Sequence, residues 1–342
     1  MKEYGPITLF GIVVVSMLSL VLHGVSIPAV PAYAAGGLQK ETAEGVLIFG
    51  GDVMLGREVE RFMERFGEAY PFEGVRNIFQ HADAVIVNFE AAVPGTHVPT
   101  PDYDLRLSVN TEALGTIVAE GVDAVSLANN HSYDFGERGF LHTRAACKNA
   151  GLFCIGEPLG ISPLSITALP VGKVRVGIFA LNATAHIPST SELRGTIAEL
   201  AAQTDLQIAY VHWGEEYDPL HNQAQEELAR TLIDLGVDVV VGHHPHVVQD
   251  IEVYKERPIF YSLGNLIFDQ YIDTETERGL LIRMSVTSRT VTYTLVPVSS
   301  LKTPSQPQLM GVDERDEFLE DLLKRSPGVE RYMDGGALVV PR

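Results

Sequence analysis

Thiol groups are nearly absent from this chain. Cys147 and Cys154 are its two cysteines, and their spacing matches no zinc-knuckle pattern, which excludes a structural thiolate site. The pair either forms a disulfide outside the cytoplasm or sits as two buried thiols. Basic residues are also scarce, 25 Lys and Arg against 44 Asp and Glu, for a net charge of -19. Nucleic-acid backbones are gripped by clustered Lys and Arg, so a general nucleic-acid surface is excluded. Any anion must be met locally, by a metal or a few arginines. Internal repeats and low-complexity tracts are lacking as well, and a 46% hydrophobic content provides for a substantial core in one large α/β domain.

One long apolar run stands apart from that domain. Lys2 precedes residues 7–22, which are apolar, and Ala32-Tyr33-Ala34 supplies a small-x-small cleavage signal. Residues 1–34 therefore read as a signal peptide or an N-terminal membrane anchor, placing the rest outside the cytoplasm. The run is slightly short for a spanning helix, although residues 25–30 extend it, so cleavage and retention both stand open.

The domain is expected over residues 45–300. Val46-Leu47-Ile48-Phe49 is a continuous apolar run ending in Gly50-Gly51-Asp52, the pattern of a strand buried on both faces. Val59, Phe62, Met63 and Phe66 then follow at helical spacing. The alternation recurs with strands at 84–87, 124–127, 208–211 and 237–241 and helices at 137–149 and 222–235. Such alternation predicts a parallel or mixed sheet with helices on its outer faces. Residues 259–263, 280–286 and 291–296 read as strands of a second, more antiparallel sheet. Residues 301–342 read as a polar tail with one helix near 313–324.

Five short motifs fall where predicted strands end, the place where open α/β sheets build their sites. Asp52 follows two glycines that permit a tight turn; its plainer alternative is a helix cap. Glu90 closes the second strand within Asn88-Phe89-Glu90, either as a carboxylate that bridges two cations or as a loop acid without a role. Asn129-Asn130-His131 ends the third, with Asp134 close behind. An Asn carbonyl there ligates a hard metal while His131, oriented by Asp134, donates a proton, unless the asparagines merely shape a turn. His212 closes a further strand. The strongest element is Gly242-His243-His244-Pro245-His246, because imidazoles two residues apart on an extended segment face the same side. This nitrogen and oxygen donor set favours Mn, Fe or Zn, as one or two ions, and a pair of ions polarises a phosphoester and activates a water. Arg57, Arg106 and Asn265 are candidates for gripping an anionic polymer or a phosphoester, against the alternatives of solvated surface charge and a turn.

With these residues assembled, the chain resembles the bacterial capsule synthesis CapA family, also called PgsA and associated with poly-γ-glutamate, which is similar to the calcineurin-like metallophosphoesterases. The carriers are Gly51 to Arg57, Asn88-Phe89-Glu90, Leu127-Ala128-Asn129-Asn130-His131, Val211-His212-Trp213-Gly214, Gly242-His243-His244-Pro245-His246 and Tyr261-Ser262-Leu263-Gly264-Asn265, spread over about residues 46–298. The resemblance implies a four-layer α/β/β/α sandwich of metallophosphoesterase-like fold. It places Asp52, Glu90, Asn130, His212, His244 and His246 as divalent-metal ligands and His131 as the catalytic acid. It also implies a place in a membrane-bound polyglutamate synthesis or export complex. One departure matters: where the phosphoesterases carry Asp-x-His on the first strand, this chain has Asp52-Val53-Met54, and a thioether is a poor ligand for hard ions.

Overall fold

The structure is a computed structural model that describes residues 43–101 and 105–342. The expected signal or anchor segment, residues 1–34, lies outside the described residues. Among the described residues, no helix is long and apolar enough to cross a membrane.

Sixteen strands and seven α-helices follow one another among the described residues. Four parallel strands come first: β1 (Gly45–Val53), β2 (Ala84–Phe89), β3 (Ala124–Ser126) and β4 (Phe153–Ile155). Between them run α1 (Arg57–Phe66), α2 (Arg76–Phe79), α3 (Glu112–Ala119) and α4 (Gly136–Ala150). A second sheet then opens with β5 (Ile166–Val171), β6 (Val174–Asn182), β7 (Leu206–His212) and β8 (Val239–His243), with α5 (Thr190–Ala201) and α6 (Gln223–Asp234) as crossovers. The hairpin β9 (Ile251–Tyr254) and β10 (Arg257–Phe260) completes that sheet in the order β5-β6-β7-β8-β10-β9. The chain then returns to the first sheet with β11 (Asn265–Ile267), β12 (Arg278–Val286) and β13 (Thr290–Ser299). It ends with β14 (Gln308–Leu309), α7 (Val312–Lys324), β15 (Met333–Asp334) and β16 (Ala337–Pro341).

The late strands thus do not build a separate antiparallel sheet, as their short turns suggested. β10 joins the second sheet beside β8, whereas β12 pairs with β1 and extends the first sheet in the order β15-β16-β13-β12-β1-β2-β3-β4. Turn spacing reports that strands are antiparallel to their neighbours but not which sheet they enter.

Alternation along each strand sorts side chains into layers. Leu47 and Phe49 of β1 point into the core shared by the two sheets, with Ile86, Ile208, Tyr210 and Val241. Ile48 points outward, onto Val59, Leu114, Ile117 and Phe140 of the helices. On the far side, Phe179, Ala209 and Val211 meet Leu193, Ile197, Leu228 and Leu232 of α5 and α6. The result is the four-layer α/β/β/α sandwich. Cys147 at the end of α4 is disulfide-bonded to Cys154 on β4, which decides between the two readings left open for the pair.

Residues 301–342 are more than a polar tail. β16 pairs with β13 over five registered residues, and Phe318, Leu319, Leu322, Val329, Leu338 and Val340 are buried in the core between the sheets. Each such side chain contributes about 1.5–3 kcal/mol on burial. Together they rival the roughly 5–15 kcal/mol of net stability typical of a domain. A chain ending at Ser300 is therefore expected to show no cooperative urea unfolding transition, while the chain ending at Arg342 unfolds in one.

Candidate metal centre

The sheet register carries the ligands to one place. β1 is paired with β2 and β11 so that Asp52 lies beside Asn88 on one flank and Asn265 on the other. In the second sheet His212 of β7 lies beside His243 of β8. Both strand ends pack on the segment 261–264, where glycines let the backbones touch. A Cβ on Gly51 would lie 2.0 Å from the Gly264 carbonyl oxygen, and one on Gly242 would lie 2.0 Å from that of Tyr261.

At this junction Asp52 and Glu90 are fully buried, and His212, His243, His244 and His246 nearly so. Two groups of donor atoms converge, each with all atoms within 4.8 Å of one another: Glu90, His244 and His246, and Asp52, Glu90 and His212. Glu90 belongs to both groups. Asn130 joins them, its Oδ1 accepting from His212 Nε2 at 2.8 Å. Glu90 Oε1, His244 Nδ1 and both ring nitrogens of His243 are buried without a hydrogen-bond partner. Buried polar atoms are rarely left so, and hard oxygen and imidazole donors with lone pairs converging on one point fit a divalent cation.

His244 and His246 do converge, but not because the segment is extended. β8 ends at His243, and His244 and His246 adopt left-handed backbone angles, φ 98° and 60°. The chain coils around the centre, with the His244 N–H donating to Asp52 Oδ2 at 3.3 Å.

Several residues that the sequence motifs did not single out hold this arrangement. Asn88 donates to Asp52 Oδ1 at 2.8 Å and lies 3.3 Å from both Glu90 Oε2 and His212 Nδ1. Period-two alternation alone puts Asn88 and Glu90 on one face, and that signal was available. Asn129, rather than shaping only a turn, donates to Asn88 Oδ1 at 3.1 Å and to the Phe89 carbonyl at 2.9 Å. His243 packs against Tyr210 with the rings tilted by 39° and their centroids 4.1 Å apart, and its Nδ1 lies 3.4 Å from Asp52 Oδ1.

The remaining candidates divide. His131 lies at the mouth, with Nδ1 2.9 Å from Asp134 Oδ2 and Nε2 3.7 Å from Glu90 Oε1. Asp134 also accepts from the Leu107 N–H at 2.6 Å, which ties the preceding loop to the site. Asn265 is a support for a ligand: its Oδ1 accepts from His246 Nδ1 at 3.0 Å, and its amide donates to the Thr276 carbonyl at 3.0 Å. Arg57 is clasped by Asp269 through two hydrogen bonds, one of 3.1 Å from Nε, so its guanidinium is committed within the protein. Arg106 is exposed, 5.8 Å from the Phe135 ring centroid. Met54 turns away into the helix-side core, and its sulfur accepts the Gly56 N–H at 3.0 Å.

Burial and charge set opposing protonation states. Burial pushes the Glu90 carboxyl up to about 7. Burial alone would lower His246, but Glu90 and Asp52 outweigh it and raise the imidazole to about 9. Burial would raise Asp52, yet the close imidazoles of His243 and His246 hold it well below the usual carboxylate range. His244 falls to about 4 through burial and the neighbouring His246, and His212 is lowered well below the ordinary range by burial and His244. For His131, burial lowers the pKa, but the Asp134 hydrogen bond and the Glu90 charge raise it on balance. Without a cation the centre keeps protons on Glu90 and His246 near neutral pH, and a bound cation would take their place.

A four-layer sandwich whose strand ends bring together buried Asp, Glu and His donors, with the exposed Asn130 beside them, is metallophosphoesterase-like in fold. Residues 46–270 match the family model described as bacterial capsule synthesis protein PGA_cap. The chain belongs to that family. It is 30% identical over 289 residues to the capsule biosynthesis protein CapA of Bacillus anthracis, covering 77% of this chain and 69% of that one. It is also 30% identical over 304 residues to the PGA biosynthesis protein CapA of Bacillus subtilis, covering 84% and 80%. Among solved structures it is similar to a hypothetical protein from Thermus thermophilus, with 19% identity, a TM-score of 0.46, and coverage of 77% of this chain and 95% of that one.

Two outcomes are expected. In the metal-stripped protein, His246 is raised from 6.5 to about 9 and Glu90 from 4.5 to about 7. A group with a raised folded pKa stabilises the fold below its unfolded value and loses that contribution as pH rises through its folded value. The melting temperature in EDTA should therefore fall by a few degrees between pH 7 and pH 9, and saturating Mn²⁺ should abolish the fall. Replacing Asn265 by Ala removes the partner that orients His246, and metal affinity measured by competition with a chelating dye should weaken by roughly 10–100-fold. Met54→Leu should leave it unchanged.

Proposed function

We propose that this chain is an exported accessory protein of poly-γ-glutamate capsule synthesis or export, working in a membrane-associated assembly with a divalent-metal centre facing an anionic polymer or phosphoester. The observation that carries this reading is the match to the two Bacillus CapA proteins over 69% and 80% of their lengths, together with a buried donor set built to hold a cation. The Cys147–Cys154 disulfide supports an oxidising, extracytoplasmic setting, and so does the signal or anchor pattern of residues 1–34. The donor set suits Mn, Fe or Zn, and the sharing of Glu90 between two donor groups suits a pair of ions.

A second reading, a metal-dependent phosphoester hydrolase, is favoured by one specific observation: the His131–Asp134 pair sits at the mouth with His131 Nε2 3.7 Å from Glu90. A cation at the centre supplies Lewis acidity. Asp134 fixes the His131 ring through Nδ1, and His131 Nε2 stands ready to give a proton to a leaving oxygen.

Complementation separates the two. In a capsule-forming strain lacking its own copy, the wild-type gene should restore polymer and His246→Ala should not. His131→Ala should restore it as well, with polymer measured by immunoassay of the cell surface. Loss of polymer in His131→Ala, together with a roughly 100-fold or greater fall in p-nitrophenyl phosphate turnover by the purified Mn-loaded protein, would transfer the assignment to the hydrolase.

A further inference from the structure

Backbone strain gathers at the metal centre. Seven non-glycine residues among those described have positive φ, and four of them, Arg57, Tyr217, His244 and His246, border this site. Left-handed backbone at a bulky residue costs about 1–3 kcal/mol and persists only where the surroundings impose it. His244 and His246 are held so as to present their imidazoles, and Arg57 is held by Asp269. Tyr217, at φ 66°, is a ligand to nothing in the donor groups, so its strain has another source.

The loop after β7 places this residue. Tyr217 N–H donates to the Pro245 carbonyl at 2.8 Å, which fastens it to the segment between His244 and His246. Its ring lies with the centroid 6.2 Å from that of His246, and its hydroxyl accepts from Gln270 Nε2 at 3.3 Å. Although so fastened, Tyr217 is 39% exposed, so its phenol stands at the open side of an otherwise buried centre. Burial and the Glu216 carboxylate push it up to about 12, and the Glu90 charge acts on it as well.

The charges that act on the phenol are the acids Glu216 and Glu90 and the cation Arg57, and Asp269 already occupies Arg57. An anion entering this mouth gains its attraction from the cation and needs neutral donors elsewhere. We infer that the Tyr217 hydroxyl donates a hydrogen bond to an oxygen of a tetrahedral oxyanion of the phosphate class seated on the metal centre, with Gln270 and the Pro245 carbonyl holding Tyr217 in place. This assignment rests on the reading of the centre as a cation site that meets anions. The amide of Gln270 donates to the phenol oxygen, so the phenol proton points away from Gln270, toward the Glu216 carboxylate in the bare protein and toward the ligand oxygen once an oxyanion is seated.

The probe is inorganic phosphate, titrated calorimetrically into full-length Mn-loaded protein, with bound Mn per chain measured on the same samples. Tyr217→Phe keeps the ring and removes only the hydroxyl. It is expected to hold the wild-type amount of metal and to bind phosphate about tenfold more weakly, as for loss of one hydrogen bond to a charged group. Gln270→Ala, which frees the phenol, should weaken binding less. Phosphate affinity within twofold of wild type in Tyr217→Phe overturns the inference and leaves the reading of the centre intact. Loss of metal in Tyr217→Phe overturns it in favour of a role in shaping the ligand loop. Failure of the metal-loaded wild-type protein to bind phosphate overturns both.

Discussion

Two carboxylates, Asp52 and Glu90, are removed from water completely, and the rest of the site follows from that constraint. An isolated buried carboxylate is so costly that it is neutralised by a proton, a paired cation or a metal. Asp52 takes the second course in the bare protein, with His246 and His243 near its oxygens. Glu90 takes the first, and one of its oxygens is left without a partner. The arrangement is tolerable without metal but not satisfied. A divalent ion bound here would satisfy the unpaired Glu90 oxygen and His244 nitrogen and displace the surplus protons, and so would couple cation binding to fold stability.

That constraint reaches into the architecture. The carboxylates come from the first sheet and most of the imidazoles from the second, so the centre exists only while the sheets stay stacked. Tyr210 helps fix the stacking. It projects from β7 into the shared core, and its hydroxyl donates to the Gly50 carbonyl of β1 at 2.6 Å. The close approaches at Gly51 and Gly242 act in the same sense, because a side chain at either would push away the 261–264 segment on which the strand ends carrying Asp52 and His243 both pack. The C-terminal segment contributes from a distance, since α7 and β16 fill the same shared core.

Most of this was legible along the chain, and for a physical reason. Buried parallel strands write themselves as unbroken apolar runs, so the ends of β1, β7 and β8 and the polar residues just beyond them stand out. What was not legible depends on pairing across long separations. The entry of β12 into the first sheet, antiparallel to β1 with Val286 opposite Gly45, leaves no local signal; the same holds for β16. Arg57 looked available to an anion because Asp269, its partner, lies 212 residues away. His244 and His246 were brought together for the wrong reason: the local rule of alternation happens to give the same convergence that a left-handed coil achieves. Asn88 was missed although alternation does apply to it, because an amide beside an acid draws less notice than the acid.

Met54 shows how a substitution in a ligand motif is absorbed. The thioether turns into the helix-side core and accepts the Gly56 N–H, so it leaves no unsatisfied group beside Asp52. The donor groups that remain do not split into one complete and one broken set. Glu90 is common to both, His244 and His246 complete one, and Asp52 and His212 complete the other, with Asn130 hydrogen-bonded to His212. Were ions bound, Met54 in place of an imidazole would leave one group a donor short while Glu90 stayed common to both. A three-donor subsite with open positions holds its ion less tightly than a closed one and exposes more of it to incoming oxygen ligands. Asp52 is pinned by Asn88 and flanked by His243, neighbours outside the donor groups that hold one carboxylate still.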